Sequence, residues 1–164
     1  MQSDLSTFKN FYTKHHSSLW NFAKYLTNSP SDADELVNDV FISIWNKRDK
    51  LVLDDSLKSY LFSSVKNRSI NFHKKKKMKL VENLPHDKLS SFTSDGPLEL
   101  KEQNELLHNI MNSLPPKCKQ VFALSRIDEL SYAEIASLMD ISKKTVEAQM
   151  SKALKIFRKK LRIE

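Results

Sequence analysis

One glycine, Gly96, serves a chain of 164 residues. Tight β-hairpins depend on residues that take positive φ without steric cost, so such a chain has few places to build them. Its apolar residues instead recur three and four apart, the spacing of a helix face. Leu5, Phe8, Phe11, Tyr12, Leu19, Phe22, Ala23 and Leu26 make one such stripe. The run Asn28, Ser29, Pro30, Ser31 ends it. Ser31 and Asp32 then offer a cap to a second helix with the stripe Ala33, Leu36, Val37, Val40, Phe41, Ile44 and Trp45. A loop from Leu51 to Ser56 leads into a third helix carrying Leu57, Tyr60, Leu61, Val65 and Phe72. The expected fold class is all-α.

The period fails over residues 80–97, which collect Asn83, Pro85, Ser90, Ser91, Thr93, Ser94, Asp95, Gly96 and Pro97, the composition of a linker. Two small helical domains are therefore expected, 1–79 and 98–164. Fully stretched at roughly 3.3 Å per residue, the linker would reach about 60 Å. Beyond it Leu100, Leu106, Leu107, Ile110, Met111 and Leu114 mark one helix, and Pro115 with Pro116 starts another through Val121, Phe122 and Leu124.

The segment from Leu130 to Phe157 predicts a helix, a sharp turn and a second helix. Ile135, Leu138 and Met139 form the first stripe, and Ala136 is small enough for close approach. Asp140 marks the corner, where a left-handed residue is needed and Asp is tolerated. Ser142 caps the next helix, which turns Val146, Met150, Ala153, Leu154 and Phe157 inward. Lys143, Lys144, Glu147, Ala148, Ser151, Lys152 and Lys155 face outward. Helical bundles share this pattern, and charge separates the two readings. From Lys143 to Arg162 eight Lys/Arg stand against one acid, Glu147, which favours contact with nucleic acid.

The net charge of +7 has two foci: Lys74 to Lys79, with five lysines and no acid, and the C-terminal helix. A polyanion touched at two separated points is the natural inference. An enzyme is not expected. One glycine precludes a phosphate-cradling loop, Cys118 has no obvious paired base, and His15, His16, His73, His86 and His108 lack metal-ligand spacing. No cofactor, metal or small-molecule substrate is called for. His15 and His16 read as one boundary and one exposed residue, and Asp54 with Asp55 as turn and cap chemistry. The lone Cys118 reads as a small core or boundary residue in a reducing compartment. No apolar run approaches the ~18 residues of a membrane span and no basic start precedes one, so a cytoplasmic location is expected.

Four blocks in this order resemble the extracytoplasmic-function type of bacterial RNA polymerase sigma factor, a member group of the sigma-70 family, and within it the iron-citrate/Bacteroidetes-type subgroup. The stretch from Asp34 to Trp45 resembles the helix that grips the polymerase clamp, and Ser59 to Arg68 the promoter-melting helix. Leu114 to Phe122 and Leu130 to Met139 resemble the start and the first turn-helix of the domain that reads the minus-35 element.

The resemblance implies a transcription initiation factor that binds core RNA polymerase at the largest-subunit clamp helices and the flap, and directs it to promoter DNA. Glu35, Asn38, Asp39 and Trp45 would contact polymerase; Asn38-Asp39 stands where the family more often has Gln-Glu. The loop from Leu51 through Asp54, Asp55 and Ser56 would receive a flipped minus-10 base, while Asn67, Arg68, Lys74 and Lys75 follow the opened strand. Lys143, Lys144 and Thr145 would hold phosphates of the minus-35 element, with Glu147, Ala148, Ser151 and Lys152 facing its bases. An anti-sigma factor is implied as a further partner. The rival reading is a stand-alone helix-turn-helix regulator that binds duplex DNA without polymerase.

Overall fold

The computed structural model describes residues 2–79 and 98–162. The expected linker, 80–97 with Gly96, lies outside the described residues, and so do the side chains of Lys79 and Leu100. The chain divides into two compact units, Met1–Pro85 and His86–Glu164. Every described element is helical, in keeping with the apolar spacing.

The first unit contains α1 (Gln2–Thr27), α2 (Pro30–Asn46) and α3 (Lys58–Lys79), with single-turn 3₁₀ helices at Arg48–Lys50 and Asp55–Leu57. Each long helix packs against the other two. Leu19, Phe22 and Ala23 of α1 meet Val37, Val40 and Ile44 of α2 and Leu61, Phe62 and Val65 of α3, all buried. The Phe22 and Phe62 rings sit edge to face at 5.4 Å. Three details depart from the sequence expectation. Ser29, not Ser31, caps α2, accepting from the Asp32 N–H at 3.3 Å. Pro30 is the reason: it lacks the N–H that a first-turn residue would leave unpaired, and its φ is already helical. Tyr60 is 43% exposed and Phe62 takes the core place, because Leu61, Phe62 and Val65 share the inward face of α3. Leu5 is exposed, since the aromatic cover of α1 ends where Trp45 meets Phe8 at 4.9 Å.

The second unit contains α4 (Leu98–Ser113), α5 (Pro116–Arg126), α6 (Tyr132–Met139) and α7 (Lys143–Leu161). Its core joins Ile110, Leu114, Cys118, Val121, Leu124, Ile135, Leu138, Val146, Met150 and Ala153. The Phe122 and Phe157 rings stack at 4.7 Å beside it. Of the stripe expected on α4, Ile110 is buried while Leu106 and Leu107 stay exposed, because α4 enters the core only at its C-terminal end. A full capping box starts α6: the Ser131 hydroxyl accepts from the Glu134 N–H at 3.2 Å, and the Ser131 N–H donates to the Glu134 carboxylate at 2.8 Å.

Among the described residues four have left-handed backbone, Asn28, Glu129, Asp140 and Arg162, and none is glycine. Asn and Asp adopt this conformation with less strain than a long side chain such as Glu. Glu129→Gly is expected to stabilise the second unit by about 0.5–1 kcal/mol. Denaturant unfolding followed by circular dichroism checks this; an unchanged or lower midpoint would refute it.

His15 is buried, not a boundary residue, and its neighbour His16 is half-buried rather than exposed. The helix turns them about 100° apart, and His15 falls on the stripe beside Phe11, with ring centroids 4.7 Å apart. Burial lowers its pKa from 6.5, against the pull of Asp55, with Lys14 and Lys58 lowering it further. A depressed folded pKa means the unfolded chain takes the proton first, so stability present above the unfolded pKa is lost as pH falls through the folded one. The first unit should therefore lose stability as pH drops below 6.5. His15→Gln should flatten that slope in unfolding curves recorded across this window.

Candidate nucleic-acid interface

The turn between α6 and α7 is built from local chemistry. Asp140 ends α6 with φ 54° and ψ 45°, and the Ile141 N–H donates to the Ala136 carbonyl at 3.0 Å. Ser142 then caps α7, accepting from the Thr145 N–H at 3.0 Å, with the two hydroxyls 2.8 Å apart. Val146, Met150 and Ala153 are buried. Lys143, Lys144, Glu147, Ala148, Ser151, Lys152 and Lys155 are exposed along the opposite side. Thr145 differs from its neighbours: it is half-buried and its hydroxyl is engaged at the cap. The free N–H groups of the first turn, beside Lys143 and Lys144, suit an anion. Cys118 is fully buried, and its thiol donates to the Gln149 carbonyl at 3.4 Å, tying α5 to α7. Burial pushes its pKa up, with Lys152 acting in the opposite direction.

In the first unit, Glu35, Asn38 and Asp39 are exposed on α2, opposite the buried Val37, Val40 and Phe41. Trp45 is half-buried, with Phe8 at its edge and the Arg48 guanidinium 4.1 Å from its ring centroid. Arg48 also donates to the Trp45 carbonyl at 2.9 Å. Sequence reasoning missed Arg48, although its place three residues after Trp45 was the available signal.

Helices α2 and α3 enclose a cleft of about 440 Å³ lined by Asp32, Glu35, Asp39, Arg68, Lys75 and Lys76, with Leu36, Asn71 and Phe72. Glu35 and Asp39, expected to serve one ligand, thus face the same cleft as Arg68 and Lys75, expected to serve another. Lys76 donates to Asp32 at 2.6 Å, bridging the helices. Neither Asp32 nor Asn71 was expected in a site. Asn67 and Lys74 are exposed and do not line the cleft.

The loop before α3 has its acids committed. Asp54 accepts from the Ser56 N–H at 2.9 Å and from its hydroxyl, and these bonds, the hydroxyl's first, lower its pKa. Asp55 binds Lys14 at 2.7 Å, which lowers its pKa, and lies 3.5 Å from His15 Nε2. Leu51 is half-buried and Ser56 exposed. Between this loop and α1 lies a cavity of about 300 Å³ lined by Thr7, Asn10, Phe11, Lys14, His15, Leu53, Asp54 and Asp55. Among the described residues no group of His, Cys, Asp and Glu could hold a metal ion, and no helix is long and apolar enough to cross a membrane.

The two units correspond to two known models. Residues 11–78 match sigma-70 region 2, and residues 104–156 match sigma-70 region 4. The ferric citrate uptake sigma factor FecI of Escherichia coli is 26% identical over 154 residues, covering 90% of this chain and 87% of that protein. The RNA polymerase sigma-E factor of Streptomyces avermitilis is 23% identical, covering 94% of this chain and 84% of its own length. In fold, the chain is similar to the sigma factor RpoE of Bartonella quintana, solved in complex with the anti-sigma factor NepR. The TM-score is 0.61 at 20% identity, covering 96% of this chain and 98% of that one. With region 2 in its first unit and region 4 in its second, the chain belongs to the sigma-70 family of RNA polymerase sigma factors, in its extracytoplasmic-function form, and acts in transcription initiation.

Proposed function

We propose that residues 1–79 bind core RNA polymerase and the minus-10 element, that 80–97 link the two modules, and that 98–164 bind the minus-35 element. The observation that carries this reading is charge sorted by helix face. The exposed side of α7 carries lysines from Lys143 to Lys155 with Glu147 as its single acid, whereas the exposed side of α2 carries Asp34, Glu35 and Asp39. A basic face placed by a helix-turn-helix fits a DNA groove; an acidic face fits basic groups on a protein partner. Glu35, Asn38 and Asp39 supply the acceptors for polymerase, with Trp45 and Arg48 as the apolar and cationic anchor beside them.

On α3, Arg68 and Lys75 hold phosphates of the opened strand from the cleft, while Asn67 and Lys74 meet it from the adjoining face. Asp54, Ser56 and Asp55 shape the loop that receives the flipped minus-10 base, with Leu51 as its apolar contact. On α7, Lys143 and Lys144 hold phosphates with Thr145 fixing the cap, and Glu147, Ala148, Ser151 and Lys152 face base edges. Nothing in this scheme breaks a covalent bond: binding energy at the strand offsets unstacking, and the work is done in the cytoplasm, where polymerase is. An anti-sigma factor completes the partner set. Ile42 on α2 and Leu106 and Leu107 on α4 are large apolar side chains left exposed, which a protein partner would cover.

Gel filtration with bacterial core polymerase followed by transcription from a promoter library tests the whole reading. Co-elution and start-site-specific initiation are expected; failure to bind core, together with specific duplex binding by the free chain, would transfer the protein to the stand-alone regulators. Replacing Glu35 and Asp39 with Lys should weaken core binding at least ~10-fold, about 1.4 kcal/mol. Lys152→Ala should weaken minus-35 binding by ~1–3 kcal/mol in a footprinting titration, and unchanged affinity would remove that residue from the interface.

A further inference from the structure

Residues 51–56 lack the buried stripe that fixes the long helices. Leu51 and Leu53 are half-buried, and Val52 is 72% exposed. The backbone hydrogen bonds of this segment are local, from the Leu51 N–H to the Arg48 carbonyl at 3.3 Å and from the Asp54 N–H to the Val52 carbonyl at 3.0 Å. It does not pack flat on α1 either, since the cavity of about 300 Å³ lies between them, with Phe11 on the helix side and Leu53 on the loop side. Across that gap the Lys14 ammonium reaches both carboxylate oxygens of Asp55, Oδ1 at 2.7 Å and Oδ2 at 2.8 Å, a contact that spans 41 residues of sequence. The buried His15 Nε2 lies 3.5 Å from the same carboxylate and has no hydrogen-bond partner among the described residues. It does not share the lysine's task at pH 7, because burial lowers its pKa from 6.5 and leaves it neutral there. Asp55 is charged, its pKa lowered first by the bond from Lys14, so the tie across the cavity is an ion pair.

We infer that Lys14 of α1 is a positioning residue for the minus-10 loop, acting through Asp55 to fix where Asp54 and its neighbours stand when a base arrives. The inference rests on the reading that this loop receives the flipped base. With both oxygens taken by the lysine, the Asp55 carboxylate is a strut between loop and helix rather than an acceptor for the base. Asp54 is built differently: both of its bonds from Ser56 fall on Oδ1, so its Oδ2 stands outside that turn. Where Oδ2 points depends on where the next residue is tied. Hydrogen bonds to base edges are directional, whereas phosphate contacts hold a strand regardless of sequence. A loop released from α1 therefore loses discrimination between bases before it loses the strand. The effect is graded, because the Lys14 and Asp55 side chains are each 60% exposed and such a pair is individually weak. Choice of base thus depends on a helix to which no DNA contact has been assigned.

The test is start-site-specific transcription by core polymerase reconstituted with the full chain, on paired templates that differ only at the minus-10 base. The readout is the ratio of product from the preferred template to product from the substituted one. Lys14→Met should lower that ratio roughly two- to fivefold, the range of an exposed ion pair. Lys14→Arg, which keeps the charge, should hold it near the wild-type value. Asp55→Asn should give the same loss as Lys14→Met, and the double variant no further loss, because the lysine acts through that carboxylate. A lysine that merely supports the fold would lower product from both templates alike and leave the ratio intact; melting curves recorded beside the assay follow the fold itself. An unchanged ratio in Lys14→Met, equal losses in Lys14→Met and Lys14→Arg, or additive losses in the double variant would each overturn the inference. A wild-type chain with no preference at the minus-10 base, or Asp54→Ala and Ser56→Ala variants that keep the full preference, would instead overturn the reading of the loop on which the inference stands.

Discussion

Burial of one side of α2 between α1 and α3 is the constraint on which the first unit depends. Ala33, Leu36, Val37, Val40, Phe41 and Ile44 are all withdrawn from water, so the positions between them have no freedom about where they face. Glu35, Asn38 and Asp39 are outward because their neighbours are inward. The same packing brings α3 alongside, and its helical period then decides which of its polar residues look back at α2. A cleft with acids on one wall and bases on the other is the result, with Lys76 and Asp32 joining the walls. No residue in it needs an unusual conformation. Phe22 and Phe62 do not line the cleft but act on its geometry by fixing how α1 and α3 meet.

The second unit solves a different problem, since α6 has only eight residues and a helix of that length is not stable alone. Its stability is supplied from both ends and from one face. The Ser131–Glu134 capping box pairs orphan groups at its start, Asp140 reverses the chain at its end, and Ile135 and Leu138 are buried against the neighbouring helices. Small residues at the crossings, Cys118 and Ala153, sit in one apolar cluster with Leu114 and let α5 and α7 approach closely. The outcome is a rigid seat for α7. For the role proposed for α7 such support matters, because base-edge contacts are directional, whereas phosphate contacts tolerate some displacement.

Most of this was legible in the sequence, for a reason that also explains the exceptions. Helical period reports directly on which face is buried, so the all-α class, the order of the helices, the Asp140 corner and the inward and outward sets of α7 followed from spacing alone. Spacing says nothing about where a helix outruns its partners. Leu5, Leu106 and Leu107 fit their stripes and are exposed because no neighbouring helix reaches that far. Neither does it rank adjacent candidates for one place, as between Tyr60 and Phe62 or between Ser29 and Ser31. For the candidate site, the outward position of Glu35, Asn38, Asp39, Lys143 and Lys152 was readable, but the shared cleft was not. Asp32 and Lys76 are 44 residues apart, and only the packing of α2 on α3 brings them together.

Both units therefore divide the labour between shape, held by buried apolar stripes, and, in the proposed scheme, recognition, held by exposed charge. That division suits a factor that engages both core polymerase and promoter DNA. Exposed ion pairs and lysine–phosphate contacts are individually weak, and they weaken together as salt rises. Affinity for DNA carried by such contacts falls by roughly 0.9 log units per log unit of salt for each phosphate engaged on duplex. A surface built from many small terms of this kind can be switched by moving a few charges, with no change of fold.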